Sequence, residues 1–145
     1  MNHIRPIAIC VFRYRDRILV SEGYDPVKHQ HFYRPLGGGI EFGEYSEQTI
    51  RRELLEEIGA EVCELTYLGT LENVYVFNGS PGHEIVQVYD GVFKDTNLYQ
   101  QPAITGHEAD IQESFQAVWK DLDEFGSGKC ILYPTGLVEM LVTKN

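Results

Sequence analysis

Three glutamates, Glu53, Glu56 and Glu57, stand close together in the run Arg-Arg-Glu-Leu-Leu-Glu-Glu-Ile-Gly-Ala that ends at residue 60. Residues at i, i+3 and i+4 share one face of an α-helix. Like charges held that close repel, and near a helix C-terminus they also meet the negative end of the macrodipole. A hard divalent cation with oxygen ligands makes such a face favourable. The chain therefore reads first as a metal-dependent enzyme. Taken alone, an acidic helix face is as readily solvated surface, and Arg52 is as readily an i, i+4 partner for Glu56.

The elements that must position these acids follow from the pattern around them. Ile50, Leu54 and Ile58 form an apolar stripe at i, i+4 and i+8, supplemented by Leu55, and the spacing predicts a helix over Glu47–Ile58. Ser46 is a fitting N-cap and Gly59 a fitting C-terminal glycine. Upstream, Gly37-Gly38-Gly39 suits a backbone-permissive turn that shapes a loop around the site, with Ile40-Glu41-Phe42 extended after it. Ile4–Tyr14 and the Ile18-Leu19-Val20 run predict a hairpin about Arg15-Asp16. Residues 24–31 contain Pro26 and predict a loop, followed by a short Phe32-Tyr33-Arg34 strand that Pro35 stops. Downstream, Val62–Phe77 predicts two extended pieces around Gly69, Asn78–Gly82 a turn, and Ile85–Phe93 a strand. Residues 95–109 predict a long loop, Ser114–Trp119 a strand, and Pro134–Val142 a C-terminal helix with proline in its first turn.

Composition narrows the function classes. At 145 residues the chain suits one domain spanning 1–145, with no repeat, linker or low-complexity segment. A net charge of −10 argues against a nucleic-acid polymer or an anionic membrane as partner, but less against a small phosphate ester once a metal reverses the local field. Cys10, Cys63 and Cys130 are odd in number and contain no C-x-x-C pair. A disulfide framework or a zinc site is not expected, and a reducing compartment is. With no signal-peptide pattern and no long apolar run, a cytoplasmic protein is the expectation.

From Gly38 the order is glycine, five residues, Glu44, seven residues, then Arg52-Glu53-Leu54-Leu55-Glu56-Glu57-Ile58-Gly59-Ala60. This resembles the Nudix box, G-x5-E-x7-R-E-U-x-E-E-x-G-U with U a bulky aliphatic, and the chain is similar to the MutT-like Nudix hydrolases. Ala60 is smaller than the usual aliphatic, and Pro35-Leu36-Gly37-Gly38 replaces a common Pro-Gly-Gly. The Trp119-Lys-Asp-Leu-Asp-Glu124 stretch resembles a late segment of many members. The resemblance implies an α/β fold, an α/β/α sandwich around a mixed sheet, with the box helix packed on the sheet through Ile50, Leu54 and Ile58.

It further implies Mg2+- or Mn2+-dependent hydrolysis of a nucleoside diphosphate linked to another moiety. Glu56 and Glu57 are then metal ligands, Glu53 a ligand or the base, and the Gly37 carbonyl a further donor. Glu44 belongs beside them, and Arg52 orients the carboxylates, so that Glu53, Glu57 and Arg52 carry catalysis. Members often add one acid from a distant loop. Glu113 is the preferred ligand here, and Glu108 the candidate for a base acting late in closure or a substrate contact. Arg34, in the locally basic stretch with Lys28, His29 and His31, and His83 beside Glu84 are candidate substrate contacts, each against the plainer reading of solvated surface. Phe32, Tyr33, Tyr75, Phe77 and Tyr89 could stack a base or serve as core and sheet surface. A homodimer is compatible with the family. The alternatives are a Nudix-fold nucleotide-sensing module, whose relatives typically have lost box carboxylates, and an isomerase of the same fold, which wants a cysteine that Cys63 does not obviously supply.

Overall fold

Strand β1, Ile4–Tyr14, is buried continuously from Ile7 to Phe12, the pattern of a central strand covered on both faces. A computed structural model describes residues 2–108 and 113–143 of the chain. After β1 come β2 (Arg17–Asp25), β3 (Gln30–Arg34), β4 (Leu36–Gly39) and helix α1 (Ser46–Ile58). Then follow β5 (Val62–Phe77), β6 (Ser80–Phe93), a 3-10 turn at Thr96–Gln100, β7 (Ala103–Glu108), β8 (Glu113–Asp121), α2 (Leu122–Gly126) and α3 (Leu137–Thr143). The eight strands form one mixed sheet along β5-β6-β1-β2-β8-β7. β1 and β6 are parallel, and the other named pairs are antiparallel.

β1 and β2 pair only at Arg13↔Ile18 and Tyr14↔Arg17, beside their turn, and then part. The run Gln30–Gly39 fills the divergence. Its first half, β3, pairs with β2, and after Pro35 its second half, β4, pairs with β1. This crossing places a glycine strand at the centre of the sheet, directly ahead of α1.

Alternation along β1 divides the interior in two. Ala8, Cys10 and Phe12 face Leu19, Leu36, Ile50 and Leu54, so α1 covers this side. Ile7, Ile9 and Val11 face Val20, Val86, Val88, Phe125, Leu137 and Leu141, so α2 and α3 cover the other. The layers are the α/β/α arrangement expected. Among the described residues, no helix is long and apolar enough to cross a membrane.

Several local expectations give way. Gly37-Gly38-Gly39 is strand rather than turn: a Cβ on Gly37 would meet the Ala8 carbonyl, and one on Gly38 the Glu53 carboxyl. Glycine here serves close approach, not chain reversal. The proposed loop over 24–31 shrinks to residues 26–29, because Asp25 Oδ1 accepts the N–H groups of Val27 (3.0 Å) and Lys28 (3.2 Å) and tightens the turn. Val62–Phe77 is one strand with irregularities at Cys63/Thr66 and Tyr67/Gly69, not two pieces. Only Asn78-Gly79 forms the turn, with φ of 50° and 80°, and Ser80-Pro81-Gly82 already belongs to β6. The expected loop over 95–109, of which residue 109 lies outside the described residues, holds the 3-10 turn and β7. Its signal was thin because only Ile104 and Gly106 of β7 are buried.

The helix ends shift too. Tyr45 is the N-cap of α1 rather than Ser46, and its N–H donates to Gln48 Oε1 at 2.7 Å. Ser46 instead shares a hydrogen bond of 2.7 Å with the Tyr89 hydroxyl. Leu55 is exposed and does not join the stripe. α3 begins at Leu137, past Pro134, where the Thr135 N–H donates to Asn73 Oδ1 at 3.3 Å.

Candidate active site

α1 lies over β4 with Ile50 and Leu54 fully buried, and this packing turns Glu53 and Glu57 back toward the glycine strand. Gly59 adopts φ 66° and ends the helix, its N–H donating to the Leu55 carbonyl at 3.0 Å. Arg52 holds the acidic face together. Its Nε donates to Glu44 Oε2 (2.7 Å), Nη2 to Glu44 Oε1 (3.0 Å) and the Gly39 carbonyl (3.1 Å), and Nη1 to Glu53 Oε1 (2.8 Å). Glu41 stands 2.9 Å from Nε, and Glu56, mostly exposed, 3.4 Å from Nη1.

The electrostatics separate Glu44 from the others. Hydrogen bonds from Arg52 and Thr49 hold its carboxyl down at about 2, so it is a fixed anion. Arg52 is raised in turn, chiefly by its bonds to Glu44. Burial pushes Glu53 up, against the pull of Arg52. Glu57 is buried at 8% exposure and pushed up to about 9, first by desolvation and then by the charges of Glu108 and Glu53. Both carboxyls are thus raised by burial, and Glu57, deeper and beside two further acids, is raised the more.

Glu53 and Glu57 border a cleft of about 270 Å³ that Gly37, Gly38, Gly39, Glu108, Arg5, Arg34 and Glu84 also line. Glu56, Glu41 and Arg52 line the adjoining open cleft with Glu53, Glu57 and Glu108. Glu108 therefore sits at the site, whereas Glu113, its partner across β7–β8, is exposed and borders neither cleft. His83 borders neither cleft; it precedes Glu84 on β6 and points to the opposite face. Arg34 borders the cleft from the end of β3.

Among the described residues, no three acids, histidines or cysteines converge as they stand on one metal position. Their chemistry nonetheless fits a hard cation. Glu53, Glu57 and Glu108 are oxygen donors around one cleft that Gly37 also lines, and mutual repulsion with desolvation keeps a proton where a cation would relieve both.

A second cavity, about 220 Å³, adjoins the first. Its walls are the rings of Phe32, Tyr75, Phe77 and Tyr133, with Asn73, Asp25 and Lys28 among its polar groups. Arg34 is the residue that borders both spaces. Phe32 sits edge-on to Phe77 and Tyr133, at centroid distances of 5.8 and 5.6 Å. Asn73, Tyr133 and the buried state of Glu84 escaped the sequence reading. Alternation would have found Glu84, which shares its face of β6 with buried Val86 and Val88.

The family model of the NUDIX domain matches residues 2–133. A NUDIX hydrolase from Nitrosomonas europaea superposes with TM-score 0.65 at 16% identity, over 97% of this chain and 87% of that one. A MutT NUDIX hydrolase from Burkholderia pseudomallei gives 0.64 at 17%, over 99% and 98%. A structure titled ADP compounds hydrolase gives 0.56 at 18%, over 87% and 63%. No curated protein matches the chain. With the box carboxylates, the sheet and the family model in agreement, the chain belongs to the NUDIX family, and its class is that of a hydrolase.

Proposed function

We propose that the protein is a Mg2+- or Mn2+-dependent pyrophosphohydrolase that cleaves the diphosphate bridge of a small nucleotide-type substrate. The observation that carries this reading is the Glu57 environment: a carboxyl raised by its burial and then by the charges of Glu108 and Glu53, on a cleft that three glycines of β4 also line. Acids are not gathered into a low-dielectric wall without a counter-charge. In this reading Glu53, Glu56, Glu57 and the Gly37 carbonyl hold the cation. Glu108, rather than Glu113, supplies the downstream acid. When bound, a divalent cation neutralises diphosphate oxygens and activates the attacking water.

The chain's own groups do the rest. Arg52, saturated by Glu44, Glu53 and the Gly39 carbonyl, fixes the angle at which Glu53 meets the cleft. Glu53, oriented by Arg52 and lining the cleft, is the group proposed to accept a proton from the attacking water. The aromatic cavity takes the planar group attached to the diphosphate, where ring faces and edges give affinity with little hydrogen-bond selectivity. Arg34 meets the phosphate oxygens between the two spaces. The free cysteines, Cys10 buried among them, support a reducing compartment such as the cytoplasm.

The test is release of nucleoside monophosphate or phosphate from a panel of diphosphate-bridged compounds, with and without Mg2+, for the wild type and Glu57→Gln. Metal-dependent release lost in the variant supports the reading. Turnover by Glu57→Gln near the wild-type rate would sink the assignment of Glu57.

A further inference from the structure

Glu84 is a buried carboxylate, 2% exposed, outside the acidic face of α1. A charge so placed persists only when hydrogen-bonded and paired. Its cross-strand neighbours are Arg5 on β1 and Asn73 on β5, and residues opposite each other in a sheet share a face. Asn73 Nδ2 donates to Glu84 Oε1 at 3.2 Å, and the Tyr75 hydroxyl to Oε2 at 3.3 Å. Arg34 Nη2, from β3, donates to Oε1 at 3.3 Å, and Arg5 Nη1 stands 3.8 Å from Oε2.

Arg5, Arg34 and Arg52 line the two acid clefts, and they differ in what holds them. Arg52 spends its fork on Glu44, Glu53 and a carbonyl. Among the described residues, the Arg34 guanidinium makes one hydrogen bond, to Glu84, and is 30% exposed. A guanidinium carries five N–H donors in a rigid fork suited to paired phosphate oxygens. Arg34 is also the residue shared by the acid cleft and the aromatic cavity. A flexible arginine there would lose rotamer freedom on meeting a ligand, and one anchored beforehand loses less.

We infer that Glu84 is a positioning residue: by gripping one N–H of Arg34 it aims the remaining fork at the diphosphate of a nucleoside-linked substrate, at the junction of the two spaces. Through Tyr75 and Asn73 the same carboxylate sets the cavity wall against that fork. The inference rests on the proposed function for where the diphosphate lies, but not on turnover.

ADP binding in Mg2+ is measured by calorimetry for the wild type, Arg34→Ala, Glu84→Gln and the double variant, with thermal melts alongside. Arg34→Ala and Glu84→Gln should each raise Kd about tenfold, and the double variant should match Arg34→Ala alone. A role for Glu84 in stability alone would lower the melting temperature in both backgrounds without making its effect on Kd depend on Arg34. Losses that multiply in the double variant would overturn the inference, as would an Arg34→Ala variant with wild-type Kd or a wild type that does not bind ADP. Should Glu84→Gln fail to fold, Glu84→Asp takes its place in the cycle. Arg34-dependent binding without turnover of any panel compound keeps the clamp and removes the hydrolase reading; turnover with binding indifferent to Arg34 does the reverse.

Discussion

Glu57 and Glu84 are both buried glutamates, on neighbouring walls of one cleft, and the protein treats them in opposite ways. Glu84 is ringed by donors from Arg34, Asn73 and Tyr75, with Arg5 beyond. Glu57 is ringed by acids, Glu108, Glu53 and Glu56, and holds a proton for want of a positive partner. One carboxylate is satisfied within the chain, and the other is accommodated there by holding a proton. A buried charge that the fold itself satisfies is architecture; a buried charge that it leaves unsatisfied marks where a ligand belongs.

The comparison breaks most sharply on paired substitutions. Glu57→Gln should lower turnover on the order of 10²–10³-fold, since it removes a proposed ligand of the cation that stabilises the charge developing on the diphosphate. The metal-free variant should melt at or above the wild-type temperature, because a neutral amide replaces a crowded carboxyl. Glu84→Gln should behave inversely in the melt, losing about 1–3 kcal/mol as Arg34, Asn73 and Tyr75 lose a charged acceptor. Equal destabilisation by the two substitutions would erase the distinction.

Titration sharpens it further. Glu57 binds its proton more tightly folded than unfolded, so between its ordinary value of 4.5 and about 9 the folded state holds the extra proton. Its contribution therefore makes the chelator-treated protein less stable as pH rises through that window. Glu44 works the other way: held down at about 2, it contributes stability above 4.5 that is lost as pH falls toward 2. Melts of Glu57→Gln should be flatter than wild type from neutral pH toward 9, and Mg2+ addition should release protons in wild type more than in the variant. Proton release unchanged by Glu57→Gln would place the titrating group elsewhere.

A smaller effect is expected from the backbone beneath the acids. Gly38→Ala puts a methyl group where the Glu53 carboxyl now lies, so Glu53 must turn aside. Mg2+ affinity, read by calorimetry, should fall about tenfold or more. Unchanged affinity would mean that the approach of β4 to Glu53 has no bearing on the site.

That glycine shows where the sequence was legible and where it was not. The acids of α1, Arg52 and the buried stripe of Ile50 and Leu54 were readable because their spacing is local, set by one helix. The sandwich followed from the family resemblance. β4 was not readable, since three glycines say only that side chains are excluded, and what excludes them is β1 and Glu53 from elsewhere in the chain. β7 hid for a related reason: its two buried positions, Ile104 and Gly106, carry too little apolar signal. The Glu84 cluster joins residues from β1, β3, β5 and β6, and no window of sequence contains it. The placement of Glu108 and Glu113 depends on the same kind of information, namely which member of a cross-strand pair lines the cleft beside a helix distant in sequence.

The smallest effect tests how local the Glu84 cluster is. Arg5 is 61% exposed and 3.8 Å from Glu84, while Arg34 is 30% exposed and within hydrogen-bonding distance. Exposed ion pairs contribute roughly 0–1 kcal/mol, because water already solvates the cation and an ordered side chain costs entropy. Arg5→Ala should therefore change stability by less than about 0.5 kcal/mol in denaturant melts. If instead it matches Glu84→Gln, the carboxylate is held by both arginines as a network, and Arg34 would not be the group whose direction it sets. A near-silent Arg5→Ala leaves Glu84 anchored by Arg34, Asn73 and Tyr75, all three of which border the aromatic cavity, and ties the buried charge to that cavity rather than to the start of β1.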